Sequence, residues 1–186
     1  MAMLPEPCAL VVIDVQRGFD SPVWGRRNNP DCEANVEALI RAWRGRGQPV
    51  VFVRHDSQEG PSSPLSPGQP GNAFKPAVSG TPDLLVTKQV HSAFYGKPNL
   101  DDWLRSRGIG AVAICGIATD HCCETTARMA GDLGYQTFFV LDATHGFDRV
   151  GPGDGSVSAD EIARVTAASL DDEFAAVVAT SELVSD

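Results

Sequence analysis

Residues 110–134 read GAVAICGIATDHCCETTARMAGDLG. Gly110 to Cys115 is an unbroken apolar run of strand length, the pattern of a strand covered on both faces. Gly116 permits a tight turn, and Asp120 to Gly134 reads as a helix that stops at a glycine. Strand, turn and helix in this order form half of a β-α-β unit, with Cys122 in the first helical turn.

The same alternation extends outward from this stretch. On the N-terminal side, Ala9 to Val15 (ALVVIDV), Pro49 to Arg54 and Asp83 to Lys88 read as short buried strands, and Thr137 to Leu141 (TFFVL) and Phe174 to Thr180 follow on the other side. Between them lie helical patterns. Cys32 to Arg44 carries Val36, Leu39, Ile40 and Trp43 on one side with Asp31 placed to cap it, and Asn99 to Arg107 is a second helix. Ser158 to Leu170 begins with a capping box formed by Ser158 and Glu161. Apolar strands that alternate with helices predict an α/β fold, a three-layer α/β/α arrangement with a six-stranded, mainly parallel sheet and helices on both faces. Ser57 to Pro82 is crowded with Gly, Pro and Ser and predicts an irregular excursion of the length that often serves function. A chain of 186 residues favours one domain spanning residues 1–186.

Composition narrows the function. The net charge of −9 argues against nucleic acid and anionic membranes as partners, because both require a basic face. A small molecule remains the natural partner. No apolar run approaches the roughly 20 residues that span a bilayer, and the opening MAMLPEPCALVVIDV lacks the features of a signal peptide, so a cytoplasmic location is expected. The five cysteines, Cys8, Cys32, Cys115, Cys122 and Cys123, show no disulfide or zinc-ribbon spacing and are expected to be thiols. A dinucleotide site is disfavoured, since the first strand continues as DVQRGF without a G-x-G-x-x-G.

In open parallel sheets ligands bind beyond the carboxyl ends of the strands, which directs attention to Asp14, Arg54, His55, Lys88, the segment Gly116 to Cys123, and Asp142. A thiol at a helix N-terminus is favoured as thiolate, and free N–H groups there can receive an oxyanion. If the strands ending in Asp14 and Lys88 adjoin this turn, the carboxylate can take the thiol proton. The ammonium would then lower the thiol pKa below its ordinary value of about 8.5. Taken singly, each residue has a plainer reading: a core thiol, a loop-capping acid, a solvated lysine.

The three segments VVIDVQRGF, TKQVHSAF and GIATDHCCETTARMAGDLGY, with a later strand ending in Asp142-Ala143-Thr144, resemble the isochorismatase-like cysteine hydrolases over almost the whole chain. The resemblance implies a catalytic triad of Asp14, Lys88 and Cys122. It also implies a cis peptide between Ile117 and Ala118, an oxyanion hole from the N–H groups of Ala118 and Cys122, and a homo-oligomer. The activity implied is hydrolysis of a carbon–nitrogen bond in a small amide, ureido or cyclic-amide substrate through a thioester, with no cofactor. Two alternatives stand beside it: an ether hydrolase using Asp14 as acid with Cys122 a bystander, and a thiol redox or binding protein without hydrolase activity. Family members that cleave a vinyl ether lack the cysteine, so Cys122 argues against the first.

Nicotinamidases share an Asp-x-His metal motif with a further histidine downstream, whereas this chain has Arg54-His55-Asp56-Ser57 and no partner histidine until His91. No catalytic metal is therefore expected. His55 reads as a hydrogen-bonded structural residue, and His121, Cys122 and Cys123, about 100° apart on a helix, cannot chelate together. Phe19, Trp24, His91, Phe94 and Tyr95 sit where a small substrate pocket would be built, with core or subunit packing as the other explanation, and Gln16 is placed to contact either substrate or a neighbouring loop.

Overall fold

The structure, a computed structural model, describes residues 4–153 and 155–184. In chain order its elements are β1 (Cys8–Ile13), α1 (Cys32–Gly45), β2 (Val50–His55), β3 (Leu84–Lys88), α2 (Leu100–Ser106), β4 (Ala111–Ile117) and α3 (Glu124–Asp132). There follow β5 (Gln136–His145), β6 (Arg149–Val150), β7 (Ser156–Val157), α4 (Ala159–Leu170), β8 (Ala176–Val178) and α5 (Thr180–Val184). Six strands form one sheet in the order β3-β2-β1-β4-β5-β8, and every neighbouring pair is parallel. The order reverses between β1 and β4, which places the ligand crevice at the carboxyl ends of those two strands.

The unbroken apolar runs have a direct cause, visible in β1. Cys8, Leu10 and Val12 face a core with Val36, Leu39, Ile40 and Trp43 of α1 and Leu183 of α5. Ala9, Val11 and Ile13 face the other core, with Leu100 and Leu104 of α2, Ala127 and Ala130 of α3, and Leu170 of α4. Alternate residues thus enter opposite layers, so no position along the strand can be polar.

Local signals decide several boundaries. At α4 the Ser158 hydroxyl accepts from the Glu161 N–H at 3.2 Å and the Glu161 carboxylate accepts from the Ser158 N–H at 3.1 Å, a complete capping box. Asp31, expected to cap α1, makes no side-chain cap, because its backbone at φ −90°, ψ 0° is not the extended conformation that aims a cap back at the helix. Beyond the expected Thr137 to Leu141, β5 runs on to His145, and its pairing with β4 shifts between Ile114 and Gly116 so that Gly116 lies opposite Thr144. The last strand is shorter than Phe174 to Thr180, since Thr180 already opens α5.

Residues 57–83 hold one helical turn at Pro70–Asn72 and are otherwise irregular. Asn72 ties this excursion to the end of β2: its Nδ2 donates to the His55 carbonyl at 3.1 Å, to Asp56 Oδ1 at 3.0 Å and to the Leu65 carbonyl at 2.8 Å. All five cysteines are buried free thiols. Among the described residues no helix is long and apolar enough to cross a membrane.

Candidate active site

At the end of β1 the backbone enters the left-handed region at Asp14 (φ +50°), and the Asp14 N–H donates to the Val53 carbonyl at 2.9 Å. Lys88, the last residue of β3, lies two strands away, because β2 intervenes. Strands are spaced about 4.8 Å apart, so only a long side chain reaches across. Lys88 does so, and its Nζ lies 2.5 Å from Asp14 Oδ2.

Cys122 arrives from β4. Gly116, paired with Ile13, has φ +127°, and a Cβ there would collide with the Ile13 carbonyl oxygen, so glycine alone lets β4 turn at this point. The Ile117–Ala118 peptide is cis. Residues Thr119–Cys123 then form one wide π-type turn ahead of α3, closed by the Cys123 N–H donating to the Ala118 carbonyl at 3.2 Å. Thr119 Oγ1 is anchored to Thr144 Oγ1 at 2.9 Å. In this setting Cys122 Sγ lies 3.3 Å from Lys88 Nζ.

The structure therefore brings Asp14, Lys88 and Cys122 together, all three buried. Among the described residues Asp14 Oδ1 has no hydrogen-bond partner, and it is closed to solvent, an open acceptor beside a thiol. Burial alone would depress Lys88, but Asp14 and Cys122 beside it hold its ammonium above the ordinary lysine range. The thiol behaves differently from the expectation of a lowered pKa. Burial pushes Cys122 up and the Asp14 charge pushes it further, while the lowering influence of Lys88 is smaller. The resting sulfur is therefore a thiol rather than a thiolate.

A cavity of about 370 Å³ opens onto this group. Phe19, Trp24 and Phe147 form one aromatic wall, with ring centroids 5.1, 5.9 and 6.2 Å apart, and Ser57 to Leu65 of the excursion contribute another side. Of the residues expected to bind substrate, Phe19, Trp24 and His91 line this cavity. Gln16, Phe94 and Tyr95 do not. Gln16 is fully buried with its amide bound to backbone, Phe94 stacks on Tyr135 at 5.8 Å in the core, and Tyr95 is an exposed residue of a separate groove beside Lys97. The sequence did not single out Phe147 and Arg149, nor the pocket-lining part of His121, since these come from segments distant in the chain.

His55 also lines the cavity, and its Nδ1 lies 3.4 Å from Lys88 Nζ. Burial and the neighbouring Lys88 charge push its pKa down. Its strand-end position was visible in the sequence, but its approach to Lys88 follows from pairing, since His55 is the register partner of Lys88. Asp56 turns away to Arg54, with bonds of 2.8 and 3.1 Å, and Cys123 packs into the core. A carboxylate oxygen of Asp14, a ring nitrogen of His55 and Cys122 Sγ lie within 4.8 Å of one another, the donor set of a metal site. The Lys88 ammonium stands among these same three groups, so a metal ion there would have to displace it.

The model of the isochorismatase domain matches residues 8–178. The chain belongs to the isochorismatase family. Within this family it is 37% identical over 184 residues to the "uncharacterized isochorismatase family protein YrdC" of Bacillus subtilis (strain 168), covering 98% of this chain and 97% of the relative. It is 34% identical to nicotinamidase 3 of Arabidopsis thaliana over 75% of this chain and 74% of that protein. With the ureidoacrylate amidohydrolase RutB of Stutzerimonas stutzeri (strain A1501) it shares 28% identity over 78% and 72% of the two chains. A crystal structure of a putative hydrolase of the isochorismatase family from Chromobacterium violaceum superposes with a TM-score of 0.92 at 36% identity, covering 99% of this chain and 95% of the other.

Proposed function

We propose that this isochorismatase-family chain is a cysteine-dependent hydrolase that cleaves a carbon–nitrogen bond in a small amide, ureido or cyclic-amide substrate through a thioester. Family membership, with relatives named nicotinamidase and ureidoacrylate amidohydrolase, supports a hydrolase of amide-like, non-peptide bonds. The observation that carries the cysteine mechanism is the position of Lys88 Nζ, 2.5 Å from Asp14 Oδ2 and 3.3 Å from the sulfur of Cys122, which lines the cavity.

The chemistry follows from that placement. Because Cys122 rests as a thiol, attack and deprotonation are coupled: Asp14 accepts the S–H proton as sulfur adds to the substrate carbonyl. The ammonium keeps a positive charge beside both the carboxylate and the emerging thiolate, so neither proton position leaves an isolated buried anion. The N–H groups of Ala118 and Cys122 receive the oxyanion of the tetrahedral intermediate. Asp14 then returns its proton to the departing nitrogen, the C–N bond breaks, and water releases the acyl group. A cavity of about 370 Å³ with an aromatic wall fits a small substrate with a flat or apolar portion.

An ammonia-release screen over small amides and ureido acids, with lactam ring opening followed by mass spectrometry because the nitrogen stays on the product, tests this reading. Turnover of at least one class is expected, with loss of about 1000-fold or more in Cys122→Ala. Activity that survives this substitution would remove the sulfur from the mechanism.

A further inference from the structure

We propose that His91 is the general base of the second half-reaction, activating the water that hydrolyses the Cys122 thioester. This rests on the reading of Cys122 as nucleophile. Three of the four histidines in the chain border the cavity, and they differ in what their nitrogens have left to do.

His55 Nδ1 faces the Lys88 ammonium at 3.4 Å. An ammonium can only donate, so this nitrogen is an acceptor and the neutral ring carries its proton on Nε2. His121 is committed on both sides, with Nδ1 3.2 Å from the Arg149 guanidinium and Nε2 3.5 Å from Asp120 Oδ2. His91 is different. Among the described residues its hydrogen-bond partner is the nucleophile itself, Nδ1 lying 3.6 Å from Cys122 Sγ, and its ring is exposed to solvent while packing against His121 at 5.3 Å.

Acylation changes what surrounds that nitrogen. A thioester sulfur has no proton to donate and accepts hydrogen bonds poorly, so Nδ1 loses its partner at the moment an electrophilic carbon appears one bond beyond Sγ. Asp14 is enclosed by protein and reaches only the group seated on the sulfur, whereas His91 is an exposed residue of the cavity lining, on the side from which water enters. The two bases thus divide the cycle, Asp14 serving acylation and His91 serving deacylation.

The step balances without any co-reactant. Nδ1 removes one proton from water while the water oxygen bonds to the thioester carbonyl carbon. The tetrahedral intermediate collapses, the C–S bond breaks, and its electron pair stays on sulfur. The imidazolium then returns its proton across the 3.6 Å gap to Sγ, which restores the thiol and the neutral ring as the carboxylic acid departs.

p-Nitrophenyl acetate separates the two halves, because its leaving group needs no protonation. In His91→Asn, a burst of about one p-nitrophenolate per enzyme is expected at nearly the parental rate, followed by a steady state about 100-fold slower. Acid-quenched protein should carry an acetyl group on Cys122 by mass spectrometry. Hydroxylamine, which attacks thioesters without a base, should restore turnover. A burst that slows in step with the steady state, a steady state that does not change, or failure of hydroxylamine to rescue would each overturn the assignment. Cys122→Ala checks the underlying reading separately, since a burst that persists there removes the thioester and not merely its base.

Discussion

Gln16 holds His55 by both backbone groups: Gln16 Oε1 accepts the His55 N–H at 2.9 Å, and Gln16 Nε2 donates to the His55 carbonyl at 3.0 Å. The clamp joins the end of β1 to the end of β2 at the level where His55 pairs with Lys88. A second donor bond from Gln16 Nε2, to the Asn72 carbonyl at 2.9 Å, ties in the excursion that walls the cavity.

Gln16→Ala should therefore cost stability and activity together, without removing any group from the chemistry. Leaving the buried His55 N–H without its partner, with the His55 carbonyl kept by Asn72 alone, is worth about 2 kcal/mol, or a fall of about 4–8 °C in melting temperature for a chain of this size. Calorimetry paired with kcat measures both. A melting temperature that does not move would mean the amide bonds exchange freely with water.

The resting state of the sulfur gives an opposite-sign pair of effects in Asp14→Asn. Hydrolysis should fall at least about 100-fold with loss of the proton acceptor. Alkylation of Cys122 by iodoacetamide at pH 8 should instead become faster, because the carboxylate charge that helps push the thiol up is gone while Lys88 remains 3.3 Å from the sulfur. Slower alkylation in this variant would contradict a thiol held protonated by Asp14.

Acid sensitivity should trace to a buried histidine outside the Asp14, Lys88 and Cys122 group. His145 has no solvent exposure, its ring nitrogens make no hydrogen bond among the described residues, with Glu33 Oε1 4.0 Å from Nε2, and burial pushes its pKa down to about 3. An unfolded histidine takes up a proton near pH 6.5, so below that value the unfolded chain binds the extra proton and stability falls with pH until about 3. Glu33 adds to this at lower pH: burial raises its carboxyl, but bonds from Arg27 and Lys75 win and bring it to about 2. Its contribution is complete above the ordinary value near 4.5 and is lost as pH falls toward 2. His145→Phe should flatten the decline between pH 6.5 and 4.5, retaining about 2 kcal/mol at pH 5 relative to the parent. Urea titrations across this range decide it, and parallel curves for the two proteins would assign the acid sensitivity elsewhere.

The layered sheet was legible in the amino-acid sequence because burial on both faces leaves a mark that no loop shares, as in ALVVIDV and GAVAIC. Asp14, Lys88 and Cys122 were legible as strand-end and turn residues. What could not be read was pairing. That Lys88 reaches past β2, and in doing so meets His55, depends on the strand order. Of the two roles open to Gln16, substrate contact or loop contact, its amide makes the second, bonding the His55 backbone and the Asn72 carbonyl, a match that depends on which strand lies beside it. Phe147 and Arg149 reach the cavity only because β5 extends beyond the shift in its pairing with β4. The thiol pKa failed in the sequence reading for want of one quantity, the depth of burial, which outweighs the adjacent ammonium.

Lys88 occupies the middle of a carboxylate, an imidazole and a thiol, so its charge is anchored to the polypeptide by four methylene groups rather than taken up from solution. Such a cation cannot be leached by citrate or a chelating buffer, nor exchanged for a competing ion of the wrong size. Its supply is settled at translation, and it is in place as soon as the chain has folded.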